Sequence, residues 1–245
     1  MRFAVIAFFL FANQSYALIN GTPLKGFRDL VRITLGAGES VCTGFFVTPT
    51  IVITAAHCFY SSKDGKLLEV QGLETMDGEL MDVQVLSLDP HPEYYKDGWS
   101  SNDVGIIKTT QNKYFRGSFI LSGESPSYLG RARMMGAGRI RLDPKQYGRS
   151  EGSTHYLQVG KFLYSLGGTS VAPNDSGGPL LADKKVIGIL SKSTASLVDG
   201  TVLPALSVMT PLGSETNRKF IEMNLKKKSD LTGPYEKPVR SLFKN

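Results

Sequence analysis

The sequence predicts an all-β fold on three observations. Apolar runs of Val, Ile, Leu and Phe are short, 26 glycines and 12 prolines punctuate them, and only one stretch has convincing helical spacing. With 41% hydrophobic and 20% charged residues over 245 positions, the composition is that of a globular chain with one or two cores. Alternating apolar and polar residues in Arg28 to Leu35, then Val41 to Val47 and Ile51 to Ala55, read as strands divided by Gly36-Ala37-Gly38 and Thr48-Pro49-Thr50. Further strands are expected at Leu67 to Val70, Glu79 to Leu88, Val104 to Thr109, Ala132 to Met135, Val186 to Ser191 and Leu203 to Met209, with Asp77-Gly78 as a hairpin tip. The helix opens on Ser214 as N-cap with Glu215 in its first turn, and carries Phe220, Ile221 and Leu225 towards Lys226. Two β-rich halves, 18–120 and 121–225, are expected to meet near Tyr114 to Pro126, followed by a basic tail over 226–245.

Residues 1–17 have the sections of a secretory leader: Arg2, the apolar run Phe3 to Ala12, then small and polar residues ending in Ala17. The run is about half the roughly 20 residues a spanning helix needs, so cleavage after Ala17 and export, to the periplasm or outside the cell, are expected. Two cysteines in an exported chain can close one bridge, Cys42 to Cys58, around the loop between them. A metal site is a weak alternative, because no CxxC or histidine spacing accompanies them. The net charge of +6 raises the question of nucleic acid, but most of the excess lies in Lys226, Lys227, Lys228, Lys237, Arg240 and Lys244. The body is nearly neutral, and a basic tail by itself is a solvated segment, so no nucleic-acid partner is expected.

Hydrolysis of a peptide by a nucleophile needs a hydroxyl, a base, a carboxylate to orient that base, and donors for the oxyanion. Ser176 stands in Asn174-Asp175-Ser176-Gly177-Gly178-Pro179, where two glycines let backbone turn and substrate approach closely. His57 sits in Thr54-Ala55-Ala56-His57-Cys58, at the end of an apolar strand. Asp103, in Asn102-Asp103-Val104-Gly105-Ile106-Ile107, is a carboxylate before a buried-looking strand, where an ionised group needs a partner. Each taken singly has an ordinary reading as loop, structural histidine or strand start.

Together these segments resemble the trypsin and chymotrypsin family in motif, order and spacing: TAAHC around His57, HPEYY followed by NDVGIIK around Asp103, and NDSGGP around Ser176. The resemblance runs over nearly the whole chain from Leu18 to the helix. It implies two six-stranded antiparallel β-barrels with a C-terminal helix, and a monomeric serine endopeptidase acting on proteins or peptides without a cofactor. On that resemblance His57 is general base and acid, Asp103 orients it, Ser176 is the nucleophile, and Ser191 supports the aspartate. The backbone N–H groups of Asn174 and Ser176 form the oxyanion hole. Asn174 departs from the family's usual glycine, yet asparagine is one of the few residues that tolerate left-handed backbone.

The same resemblance implies that a freed Leu18 amine, in Leu18-Ile19-Asn20-Gly21, pairs with Asp175, so that leader cleavage itself generates the active form. Ser170 matches the floor of the specificity pocket, with Ser193 and Ala205 on its walls, which implies cleavage after uncharged, small to medium residues. Leu190 stands where glutamate-cutting relatives have histidine, Ala172 where many have a bracing cysteine, and Lys192 replaces an aromatic. Glu69, Glu74, Asp77 and Glu79 form an acidic stretch without convincing calcium-ligand spacing. The alternative is a catalytically silent relative that uses the fold, and the basic tail, to bind a partner.

Overall fold

The computed structural model describes residues 18, 21–24, 26–38, 40–75, 78–94, 101–138, 150–193, 197–198, 201–202, 206–226 and 243–244. The expected leader over 1–17, Ala205 and all of the basic tail except Lys226, Phe243 and Lys244 lie outside them. After a two-residue β1 (Thr22–Pro23) the chain builds β2 (Leu30–Leu35), β3 (Ser40–Thr48), β4 (Ile51–Thr54), β5 (Val70–Glu74), β6 (Val85–Pro90) and β7 (Gly105–Thr109). These last six form one antiparallel sheet in the order β5-β2-β3-β4-β7-β6. Its β-branched and aromatic residues fill the inside, with Ile33, Phe45, Phe46, Ile53 and Ile106 fully buried.

A second sheet follows: β8 (Ile120–Ser122), β9 (Leu129–Gly136), β10 (Ser150–Val159), β11 (Phe162–Gly168), β12 (Pro179–Ala182) and β13 (Lys185–Ser193). A small hairpin of β14 (Leu197–Val198) and β15 (Thr201–Val202) precedes β16 (Ser207–Pro211), α1 (Glu215–Lys226) and β17 (Phe243–Lys244). Six strands close on themselves as β12-β9-β10-β11-β16-β13 and back to β12. Of the two barrels expected, this one is closed by hydrogen bonds. The first is a half-barrel, since β5 and β6 at its ends are not paired with each other among the described residues. Two pairings are parallel: β8 lies beside β13, and β17, from the basic tail, lies beside β8.

Sequence and structure differ where alternation is weak. The strand expected at Leu67 to Val70 begins at Val70, because Leu67 makes only a single bridge to Tyr60. The one expected at Glu79 to Leu88 runs from Val85 to Pro90, with Leu80 spent on a bridge to Glu74. Strands β8, β10, β11 and β12 have no counterpart in the sequence reading. The turn from β12 to β13 uses Asp183 and Lys184 at φ 48° and 65°, a two-residue hairpin without the usual glycine.

The helix has the expected bounds and packs Phe220, Ile221 and Leu225 into the larger core. It also reaches the first sheet's loops: Asn217 Nδ2 donates to the Ser101 carbonyl and Thr216 Oγ1 to Asn102 Oδ1, both at 3.1 Å. The segment just before Asp103 is thereby pinned from the far end of the chain.

Candidate active site

The site is assembled from three loops. His57 rides on a short turn, Ala56–Phe59, at the end of β4. Cys58 on the same turn is bonded to Cys42 of β3, which ties the turn to its own sheet. Asp103 precedes β7 and is 1% exposed. Its Oδ1 accepts the His57 backbone N–H at 2.8 Å, and its Oδ2 lies 2.7 Å from His57 Nδ1. Ser191 Oγ, from β13, donates to the same Oδ2. Burial alone pushes the Asp103 carboxyl up, but the His57 ring, the Ser191 hydroxyl and the His57 N–H together hold it below the ordinary carboxylate range. An ionised Asp103 fixes the proton on Nδ1 and leaves Nε2 as the ring's acceptor.

Ser176 Oγ donates to the Ser191 carbonyl at 3.2 Å rather than to the His57 ring. The loop carrying it is a joint between the two sheets, and the sequence reading missed its clamp, Thr43. Thr43 N–H donates to the Ser176 carbonyl at 2.8 Å, and Thr43 Oγ1 donates to the Asn174 carbonyl at 2.9 Å. The same hydroxyl accepts Ala137 N–H, also at 2.9 Å. Gly177, at φ 86°, is required here: a Cβ would sit 2.2 Å from the Thr43 carbonyl.

Two backbone donors on this loop are unused. Asn174 has φ 75°, the left-handed geometry that its residue type tolerates. The Pro173 carbonyl points at Gly138, where an added Cβ would lie 2.7 Å from it, so the N–H of Asn174 points the opposite way across the trans peptide. The Asp175 carbonyl likewise accepts Gly178 N–H at 2.9 Å, which turns the Ser176 N–H away. Neither N–H has an acceptor among the described residues.

Asp175 itself is fully buried. Oδ1 accepts Gly138 N–H at 3.0 Å and Oδ2 accepts Ala172 N–H at 2.9 Å. No cation reaches it among the described residues, and burial, only partly offset by those two N–H groups, pushes its carboxyl up to about 7. The expected pairing with Leu18 is not made in this chain. Residues 1–17 precede Leu18, so its nitrogen is an uncharged amide, and it donates to Ser150 Oγ at 2.6 Å. The Leu18 side chain is nevertheless fully buried in the core of the closed barrel with Met134, Tyr156 and Leu190.

Of the residues expected to form the pocket, Ser170 is 2% exposed, two residues beyond the end of β11, and Ser193 ends β13. The next residue after Ser170 is held by Val171 N–H donating to Ser207 Oγ at 2.9 Å. Ala205 falls outside the described residues. Leu190 is fully buried, Lys192 is exposed, and Ala172 is half-buried. Glu74 of the acidic stretch is paired with Arg32. Cys42, Cys58 and His57 place ligand atoms within 4.8 Å of one another, but both sulfurs are bound in the disulfide and are not thiolates.

Residues 22–205 match the trypsin family, three quarters of the chain. The chain belongs to the trypsin family of serine endopeptidases. An uncharacterized peptidase of Corynebacterium glutamicum is 26% identical over 78% of this chain and 69% of its own length. Trypsin V-A of Rattus norvegicus is 25% identical, covering 80% and 86% of the two chains. Among solved structures, a Glu endopeptidase superposes with a TM-score of 0.64 at 16% identity, over 83% of this chain and 95% of the other. Neuropsin from mouse brain gives 0.61 at 20% identity, over 84% and 98%. At these identities the structural likeness is one of fold, the chymotrypsin-like pairing of a closed barrel and a half-barrel.

Proposed function

We propose that the chain is an exported serine endopeptidase working through a Ser-His-Asp acyl-enzyme mechanism. One observation carries the reading: a hydrogen-bonded series from Ser191 through Asp103 to His57 stands beside a serine loop with two unused backbone donors. Substrate binding turns the Ser176 hydroxyl from the Ser191 carbonyl towards His57 Nε2, which takes its proton as Oγ attacks the scissile carbonyl. The Asn174 and Ser176 N–H groups receive the oxyanion. His57 then protonates the leaving amine, and water repeats the sequence to release the acid and restore Ser176.

Cleavage of the leader after Ala17 is read as the activating event, with the Leu18 ammonium paired to Asp175 and no separate zymogen stage. Asp175, buried and without a cation among the described residues, supports this reading, since a carboxylate in that place needs a cation. The disulfide fits an oxidising compartment. Acyl-side specificity is for uncharged, small to medium residues, because Ser170 supplies no counter-charge for Lys or Arg. Glutamate cleavage, suggested by one structural neighbour's substrate, is disfavoured by the buried Leu190 in place of a histidine.

A serine-directed phosphonate tests the mechanism on chain that starts at Leu18. We expect one label, on Ser176, lost in Ser176→Ala. Folded protein that stays unlabelled would establish instead the catalytically silent binding protein. A peptide library cut mainly after Lys or Arg would overturn the specificity.

A further inference from the structure

We propose that Ser150 is the positioning residue for the new N-terminus: its Oγ holds the Leu18 nitrogen before cleavage and keeps it afterwards, aiming the added N–H donors at Asp175. The inference rests on the activation reading above and deepens it. Ser150 opens β10, is fully buried, and accepts the Leu18 N–H at 2.6 Å. Its partner across the ladder in β9 is Gly136. Gly136 has no side chain to place there, and the Asp175 carboxylate occupies the vacancy: a Cβ on Gly136 would lie 2.1 Å from Asp175 Oδ1. Side chains directly opposite in such a pair stand about 5 Å apart. The Leu18 nitrogen therefore sits one cross-strand step from the carboxylate while still an amide.

Hydrolysis of the Ala17–Leu18 bond by a leader peptidase puts the water oxygen on the Ala17 carboxylate. The Leu18 nitrogen is left as an amine that takes up a proton. Its single N–H becomes three; one stays on Ser150 Oγ, and the others are free for Asp175. Gly21 fits the same arrangement, as its N–H donates to the Leu18 carbonyl at 3.0 Å and a Cβ there would crowd both Leu18 and Ser150.

Among the described residues, few other charges bear on this nitrogen. Inner-face residues of β10 alternate from Ser150, and the ionisable one is Tyr156 at the far end, bonded to Ser127. Glu151 and Arg133 are one residue out of register, on the outer face, and pair with each other at 3.2 Å. Asp175 is the charged group of the loop packed against it.

The test is active-site titration of chain beginning at Leu18, from neutral to alkaline pH, in wild type, Ser150→Ala and Asp175→Asn. A free α-amine titrates near 8, and loss of one hydrogen bond to the charged form lowers the alkaline midpoint by roughly half to one unit. We expect that downward shift in S150A, with turnover per titrated site unchanged at neutral pH. D175N should lose most titratable sites. S150A with the wild-type midpoint, alongside an inactive D175N, overturns the role of Ser150 alone. A fully active D175N overturns the activation reading itself. Melting curves verify folding, and Ser150→Cys, which keeps the size but weakens the acceptor, gives a smaller shift should S150A not fold.

Discussion

A buried carboxylate that meets no cation among the described residues makes the stability of the chain retaining residues 1–17 depend on pH in a way that one substitution removes. In the chain that retains residues 1–17, Asp175 is fully buried and its carboxyl is raised from 3.8 to about 7. A carboxyl raised on folding holds its proton longer in the native state than in the unfolded one. Its cost to stability is therefore absent below the unfolded value, and grows as pH rises through the window between the two. Each pKa unit corresponds to about 1.4 kcal/mol, so the uncleaved chain loses roughly 4 kcal/mol from this group between pH 4 and 8. Asp175→Asn cannot ionise and is free of this loss, although its amide satisfies only one of the two N–H donors from Gly138 and Ala172. His91, whose ring is held below its ordinary value by burial, works in the opposite direction near neutral pH. The difference between the two variants cancels His91. The assay is denaturant unfolding of uncleaved chain at a series of pH values, in a Ser176→Ala background that prevents self-digestion. The stability difference, D175N minus the aspartate form, is expected to grow by about 4 kcal/mol from pH 4 to 8. Parallel curves would show that Asp175 is already compensated and would refute the argument.

Two further outcomes follow from the loop and the bridge. Asn174→Gly should keep kcat/KM within a few-fold, because both residues accept φ 75°, whereas Asn174→Val should lower it about 100-fold or more by misplacing an oxyanion donor; peptide hydrolysis rates decide it. Replacing Cys42 and Cys58 by serine removes a bridge spanning 16 residues, worth about 3 kcal/mol of loop entropy, measured as a lower denaturation midpoint.

The segments holding His57, Asp103 and Ser176 were legible because each is short and its residue types suit the proposed chemistry. What arranges those segments was not legible. Thr43 clamps the Ser176 loop from β3, Asn217 fixes the approach to Asp103 from the helix, and Ser150 meets Leu18 across 132 positions. Thr, Asn and Ser are ordinary in strands and caps, and only the register of distant strands gives these three their tasks. The missed β10 has a similar cause. Its inner face carries Ser150, Gly152 and Thr154, and its outer face Glu151, Ser153 and His155, so apolar-polar alternation is absent. Burial there comes from neighbouring segments, Leu18 among them, and the strand is held by its ladder to β9 and β11.

On the proposed activation, the same register is the route by which a charge made at Leu18 would act on Ser176. Asp175 lies between Asn174 and Ser176, the two residues whose N–H groups are proposed to receive the oxyanion, so whatever fixes its carboxylate fixes both peptides flanking it. From the first sheet Thr43 holds the carbonyls of Asn174 and Ser176; from the closed barrel Gly138 and Ala172 hold the carboxylate. In the chain that retains residues 1–17 those two N–H bonds only partly offset the burial of the carboxylate, which raises its pKa to about 7. On the proposed activation, an ammonium on Leu18 supplies the cation that this buried carboxylate lacks among the described residues. Activation on this account needs no large rearrangement of β1 or β10: it needs a proton to leave Asp175 for good, and Ser150 to have kept the nitrogen beside it.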